Sequence, residues 1–209
     1  MDITKIKALA FTALGETRSH DFKEKGNKYY HGERVAKLVI SLRKIIFPLD
    51  DSYDEILVTA ALFHDIANGG DNHAEEGALK TKEILTEYCT EIELEKICQI
   101  ISVHDDRSST SHDLPWYIKL HQDADQLDHF GTYEIWMSFL FAISHNETIA
   151  DVNNWLNNKR LEKVDKHRNE LHFEISKRIF DEKMAFEKAF SARFNIESSG
   201  GIWNENDLL

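Results

Sequence analysis

ALFHDIANGGDNHAEEGA, residues 61–78, opens on an apolar run, Ala61 to Phe63, that gives way to His64 and Asp65 side by side. Asn68, Gly69 and Gly70 follow, then His73. An imidazole and a carboxylate at the end of an apolar helical segment, before two helix-stopping glycines, place polar chemistry where a helix meets a pocket. On a helix two adjacent side chains diverge by about 100°, so both reach one ion only if it lies beside the last turn.

The surrounding pattern is helical. Ile3, Ile6, Ala10, Ala13 and Leu14 step at helix spacing and end near Gly15. HGERVAKLVISLRKIIF, residues 31–47, carries Val35, Leu38, Val39, Leu42, Ile45 and Ile46 on one stripe, stopped by Pro48. Ser52 is a candidate cap for a third helix over 53–67, and Asn72 or His73 opens a fourth over 74–88. EIELEKICQIISVH (91–104) forms a fifth, with its acidic residues on a solvated face. DDRSSTSHDL (105–114) reads as a loop, and Pro115 starts WYIKLHQDADQLDHF (116–130). Beyond Gly131 come TYEIWMSFLFAISH, whose Trp136, Phe139, Leu140 and Phe141 read as core, and one or two long charged helices over 152–194. Strand-like alternation is scarce, with 9 Gly and 2 Pro in 209 residues; the fold class expected is all-α.

Composition narrows the function. Hydrophobic residues at 42% support a packed interior. A net charge of −12, from 25 basic and 37 acidic side chains, repels phosphate backbones and disfavours nucleic acid. A small anion is not disfavoured if a cation sits in its pocket. Cys89 and Cys98 are too few for a disulfide framework or a cysteine metal site and read as core thiols. No apolar run reaches membrane-spanning length and no signal-peptide pattern is present, so a cytoplasmic protein is expected.

The histidines and aspartates recur at helix ends: His31, His64-Asp65, His104-Asp105, and several within HQDADQLDH. Helical bundles build metal sites this way, from side chains of neighbouring helices. Nitrogen with carboxylate oxygen and no thiolate suits a divalent Mn, Ni, Co, Fe, Mg or Zn ion. On a helical wheel Leu120, Ala124, Leu127 and Gly131 define one face flanked by Asp123 and Asp128, whereas Asp125 falls with His121 and His129. The wheel leaves Asp123 and Asp125 both open.

YHGERVAKLV, ALFHDI and QDADQLDHFG together resemble the signature of the HD superfamily of metal-dependent phosphohydrolases, which is His, then His-Asp, then Asp on a helical bundle. The resemblance is closest to small bacterial members, whose last motif often reads QDADRLDALGA, and covers about residues 28–145. With the helical pattern read along the chain, a single HD-type domain is expected over 1–195, its motif core at about 28–145 and C-terminal helices over 150–195, with a loose tail over 196–209. The resemblance implies one metal held by His31, His64, Asp65 and the last-motif Asp, hydrolysing a phosphate ester or anhydride, frequently of a nucleotide. Matching ADQL to the ADRL of stringent-response hydrolases selects Asp125, with Asp123 as runner-up. Those hydrolases carry an acidic pair where this chain has Asn68 and Gly69. That role is either absent or taken by other groups, with His73, His104 and Asp105 as candidates, and Arg34, Lys119 and Arg107 are candidate phosphate contacts. The expected partner is a small phosphate substrate, with neither nucleic acid nor membrane; a homodimer is left open. Two rival readings are a di-iron oxygenase using His31, His64, Asp65, His73, His104 and Asp125, and a non-catalytic helical binding module. Against the first, His73 follows Asp65 so closely that the fourth helix must return it directly to the pocket.

Overall fold

The computed structural model describes residues 1–67, 72–107 and 113–204. No strand occurs among the described residues, and no described helix is long and apolar enough to cross a membrane. The chain divides into two compact units.

The first unit, Met1–Asp128 with Leu171–Ser176, is built on six helices. They are α1 (Ile3–Leu14), α2 (Asn27–Ile46), α3 (Asp54–Phe63), α4 (His73–Leu85), α5 (Glu91–Ser102) and α6 (Trp116–Asp128). Asp2 caps α1 by accepting from the amides of Thr4 and Lys5, and Thr90 and Glu93 form a reciprocal capping box on α5. The helical stripes then bury one another. α2 packs on α3 and α3 on α5, burying Val35, Val39 and Leu42 of α2, Leu57, Ala60 and Ala61 of α3, and Ile97, Ile100 and Ile101 of α5. Each valine, leucine or isoleucine among them, fully buried, contributes about 1.5–3 kcal/mol.

Two close approaches shape the site. At Gly32 on α2 an added Cβ would lie 2.7 Å from the Ala61 carbonyl oxygen and 3.1 Å from Leu62 Cα. Only glycine lets the two backbones meet there. Gly77 of α4 faces the His64 carbonyl, 3.3 Å from where its Cβ would stand. A bidentate ion pair from Arg43 of α2 to Asp54 in the first turn of α3 (2.7 and 2.5 Å) locks the other end of the α2–α3 pair.

The second unit spans His129–Glu170 and Lys177–Leu209. It contains α7 (Thr132–Ser144), α8 (Ile149–Asn157), a 3₁₀ turn (Lys159–Lys163), α9 (Val164–Asn169) and most of α10 (Glu174–Ser198). Ala142, Val152 and Leu156 form its small core, with Phe139, Phe190 and Phe194 packed against them. Glu187 accepts the Gly131 amide, and Arg160 lies over the Phe130 ring.

Several local expectations shift. α2 starts at Asn27, four residues before His31, so the first histidine sits in a formed second turn. Ser52 does not cap α3; its hydroxyl bonds Asp50 instead. α3 stops at Phe63, and His64 to Ala67 form a turn. The expected Asn68-Gly69-Gly70 stop lies outside the described residues. The cysteines are free and half-buried rather than core. Phe139 is packed, but Trp136 and Phe141 are exposed. The C-terminal stretch is broken into α8, the 3₁₀ turn, α9 and α10, and α10 continues through Ser198.

Candidate metal centre

Three backbone segments bring donors together. α2 supplies His31, the turn after α3 supplies His64 and Asp65, and α6 supplies Asp125. The Gly32 contact presses α2 onto the end of α3, so His31 Nε2 and His64 Nε2 face each other at 3.2 Å. Asp125 Oδ1 lies 3.1 Å from His31 Nε2 and 3.5 Å from His64 Nε2, and Asp65 Oδ1 is 3.8 Å from His64 Nε2.

The opposite ring nitrogens are occupied. His64 Nδ1–H donates to the Ala61 carbonyl at 2.8 Å, which leaves the Nε2 lone pair toward the centre. His31 Nδ1–H donates to Asp128 Oδ2 at 2.7 Å, and Arg34 grips Asp128 from Nε and Nη2 at 2.9 and 2.8 Å. Two nitrogen lone pairs and a carboxylate oxygen held this close repel unless a cation joins them. Ligands about 2.1 Å from one ion and at right angles stand about 3.0 Å apart, so this donor set fits a divalent metal.

Without an ion, the field is met by a proton. Burial opposes charge on His31, but hydrogen bonds to Asp125 and Asp128 outweigh it and raise the imidazole to about 10. Burial likewise opposes charge on Asp128, yet His31 and Arg34 hold it at about 2. His104 is pushed down, by burial first and by His64 second.

A second donor group adjoins the first through Asp65. Ligand atoms of Asp65, His73 and His104 lie within 4.8 Å of one another. His104 Nδ1–H donates to the Ile101 carbonyl at 2.7 Å, and its Nε2 is 3.9 Å from Asp65 Oδ1. The short return from Asp65 to His73 is made, because Gly77 lets α4 close on the His64 turn. Asp105, more exposed, stands 3.6 Å from His73 Nε2.

Asp123 turns away. Its carboxylate accepts the amides of His172 and Phe173 at 2.8 and 3.1 Å. His172 is half-buried and its ring bonds Gln122. Arg34 holds Asp128 through Nε and Nη2. Arg107 Nη2 donates to the Gln122 carbonyl at 2.9 Å and lies 3.7 Å from Asp125 Oδ2. Lys119 is half-buried on α6.

Sequence reasoning passed over Asp128 and Lys28. The signal for Asp128 was its place one turn after Asp125, with Arg34 one turn after His31 to hold it. Lys28, one turn before His31, is buried in the field of Asp65. Burial lowers its ammonium pKa, and Asp65 opposes that shift.

Residues 16–130, more than half of the chain, match the HD domain. No curated protein matches the chain in sequence. Among solved structures, an HD-superfamily hydrolase of Bacillus thuringiensis superposes with a TM-score of 0.67 at 22% identity, covering 95% of this chain and 99% of that one. YpgQ of Bacillus subtilis, in complex with ADP, gives 0.62 at 19% identity, with 91% of each chain covered. Lin1889 of Listeria innocua gives 0.62 at 24% identity, over 95% and 98%.

Proposed function

The chain belongs to the HD-domain family, and from that premise we propose that it is a metal-dependent phosphohydrolase acting on a phosphate ester or anhydride, with a nucleotide as the substrate class. The observation that carries the reading is the facing of His31 Nε2 and His64 Nε2 at 3.2 Å with Asp125 Oδ1 beside both. His31, His64, Asp65 and Asp125 are the residues that hold the ion. When bound, a divalent Mn, Ni, Co, Fe, Mg or Zn ion supplies Lewis-acid polarisation of a phosphoryl oxygen and brings the pKa of a water toward neutrality.

The protein's own groups do the rest. Asp128 fixes the His31 tautomer and ring plane, and Arg34 keeps Asp128 charged. Asp65 or Asp125, with oxygens toward the centre, orients the attacking water. His104 or His73, across Asp65, is placed to protonate the leaving oxygen, with Asp105 steadying His73. Lys28 and Arg107 supply positive charge for the phosphate. The ADP held by YpgQ supports a nucleotide for this chain. The test is elemental analysis of the purified protein, then a hydrolysis panel of nucleotides and phosphomonoesters with Mn, Ni, Co and Mg. His64→Ala or Asp65→Ala that keeps wild-type metal content and rate refutes the reading.

The Asp65–His73–His104 group favours one alternative, a di-iron centre that activates oxygen. Two irons per chain with a visible oxidised-iron absorption select it; one metal per chain and phosphate release select the hydrolase.

A further inference from the structure

Three buried nitrogens beside the centre have no hydrogen-bond partner among the described residues: Nδ1 and Nε2 of His121, and Nη1 of Arg107. Buried polar atoms are seldom left so, and orphans grouped in one place mark a missing polar partner. His121 is fully buried, and its ring stands in edge contact with His64 at a centroid distance of 5.4 Å. It lies one turn before Asp125 on α6, so the two side chains share a face.

Arg107 is fixed from the other side. Nη2 donates to the Gln122 carbonyl, while Gln122 Nε2 donates to the carbonyls of Val103 and Asp106 at 2.6 and 3.0 Å. The segment carrying Arg107 is thereby tied to α6, and Nη2 reaches within 3.7 Å of Asp125 Oδ2. Asp125 presents its other oxygen to His31 and His64. One carboxylate thus separates the metal donors from the guanidinium.

A guanidinium only donates, and an imidazole carries at least one N–H in either tautomer. The partner each lacks is an oxygen rich in lone pairs, and a tetrahedral phosphate, which offers several, suits the planar fork of arginine. We propose that His121 and Arg107 form an oxyanion subsite adjoining the metal donors across Asp125, taking an oxygen of a phosphate group. This rests on the phosphohydrolase reading, which already gives Arg107 to the phosphate, and adds to it His121 as a second grip apart from the metal.

The test is calorimetric titration of the Mn-loaded protein with inorganic phosphate, for wild type, His121→Leu, Arg107→Met and Arg107→Lys, with metal per chain measured in each. Loss of one charge-assisted bond weakens phosphate binding by about tenfold or more in Arg107→Met, less in Arg107→Lys. His121→Leu is expected to lose binding likewise, at unchanged metal content. Should Arg107→Met fail to fold, His121→Leu decides. A His121→Leu protein that melts higher and binds phosphate as wild type does overturns the proposal, because His121 is then only an uncompensated core imidazole. So does phosphate bound elsewhere and insensitive to all three changes, a metal-loaded wild type that binds none, or water alone at these nitrogens in a phosphate-soaked crystal. The binding readout is independent of turnover. A wild type that binds phosphate through His121 and Arg107 yet hydrolyses no phosphate substrate refutes the hydrolase reading alone.

Discussion

Replacing Gly32 with alanine separates the helix contact from the chemistry it enables. The new Cβ would sit 2.7 Å from the Ala61 carbonyl oxygen, where ordinary contact begins at 3.4 Å. Since the clash is with backbone, no side chain can move aside; α2 and the end of α3 must part by roughly 0.7 Å. Overpacking costs about 1–3 kcal/mol, and alanine returns about 1 kcal/mol of helix propensity over glycine. The net loss is thus about 0–2 kcal/mol, and melting falls by only a few degrees, at about 2–4 °C per kcal/mol for a chain this size. Metal affinity is less forgiving. His31 and His64 flank the contact, with Nε2 atoms 3.2 Å apart, and metal–ligand bonds tolerate about ±0.2 Å. Competition with a fluorescent chelator is expected to show Mn affinity down by more than tenfold, alongside a small change in thermal midpoint. Affinity within twofold of wild type would refute the idea that glycine is there to set the histidine spacing.

Asp128→Asn removes the charge that Arg34 and His31 share, so metal affinity falls by about 10–100-fold, as for other groups that orient a ligating histidine; elemental content after dialysis reads it. Asp123→Ala takes the acceptor from two amides, at about 1–3 kcal/mol for each buried donor left unsatisfied. Urea unfolding of that variant shifts while its metal stoichiometry stays at the wild-type value; lost metal would make Asp123 a ligand. In the metal-free protein His31 holds its proton up to about pH 10. A folded pKa raised above the unfolded one stabilises fully below about 6.5 and fades as pH climbs through 10. Metal must displace that proton, so apparent affinity tightens by about tenfold per pH unit from neutral toward 10. Flat affinity across that range excludes a protonated His31. Adding metal at 100 times its dissociation constant stabilises the native state by about 2.7 kcal/mol, and a chelator reverses the shift in unfolding midpoint.

Much of the helical layout was legible because apolar stripes with end signals report amphipathic helices directly, as α1, α2 and α5 show. Helix starts were less legible: α2 begins at Asn27 behind Gly26, which carries φ +71°, and no apolar stripe announces it. The spacing of His31, His64 and Asp65 pointed to chain segments whose side chains lie together in the structure. Choice among Asp123, Asp125 and Asp128 was not legible, since Tyr117, Ile118 and every residue from Leu120 to Asp128 are buried. A wheel assigns direction only when one side meets water. The return of His73 to Asp65 depended on Gly77, whose effect is a tertiary approach with no local signature. Outside the motifs, the wheel put His121 on one stripe with Asp125 and no more; its lack of partners is a property of three-dimensional packing.

A helix without a wet side also constrains how the protein can change over generations. Ordinary helices drift at their exposed positions without consequence, but α6 offers almost none, and Gln122, Asp123, Asp125 and Asp128 along it are already held by partners in the interior. Variants selected for new substrates are expected to accumulate in the turns that precede and follow α6, while the helix itself stays nearly invariant.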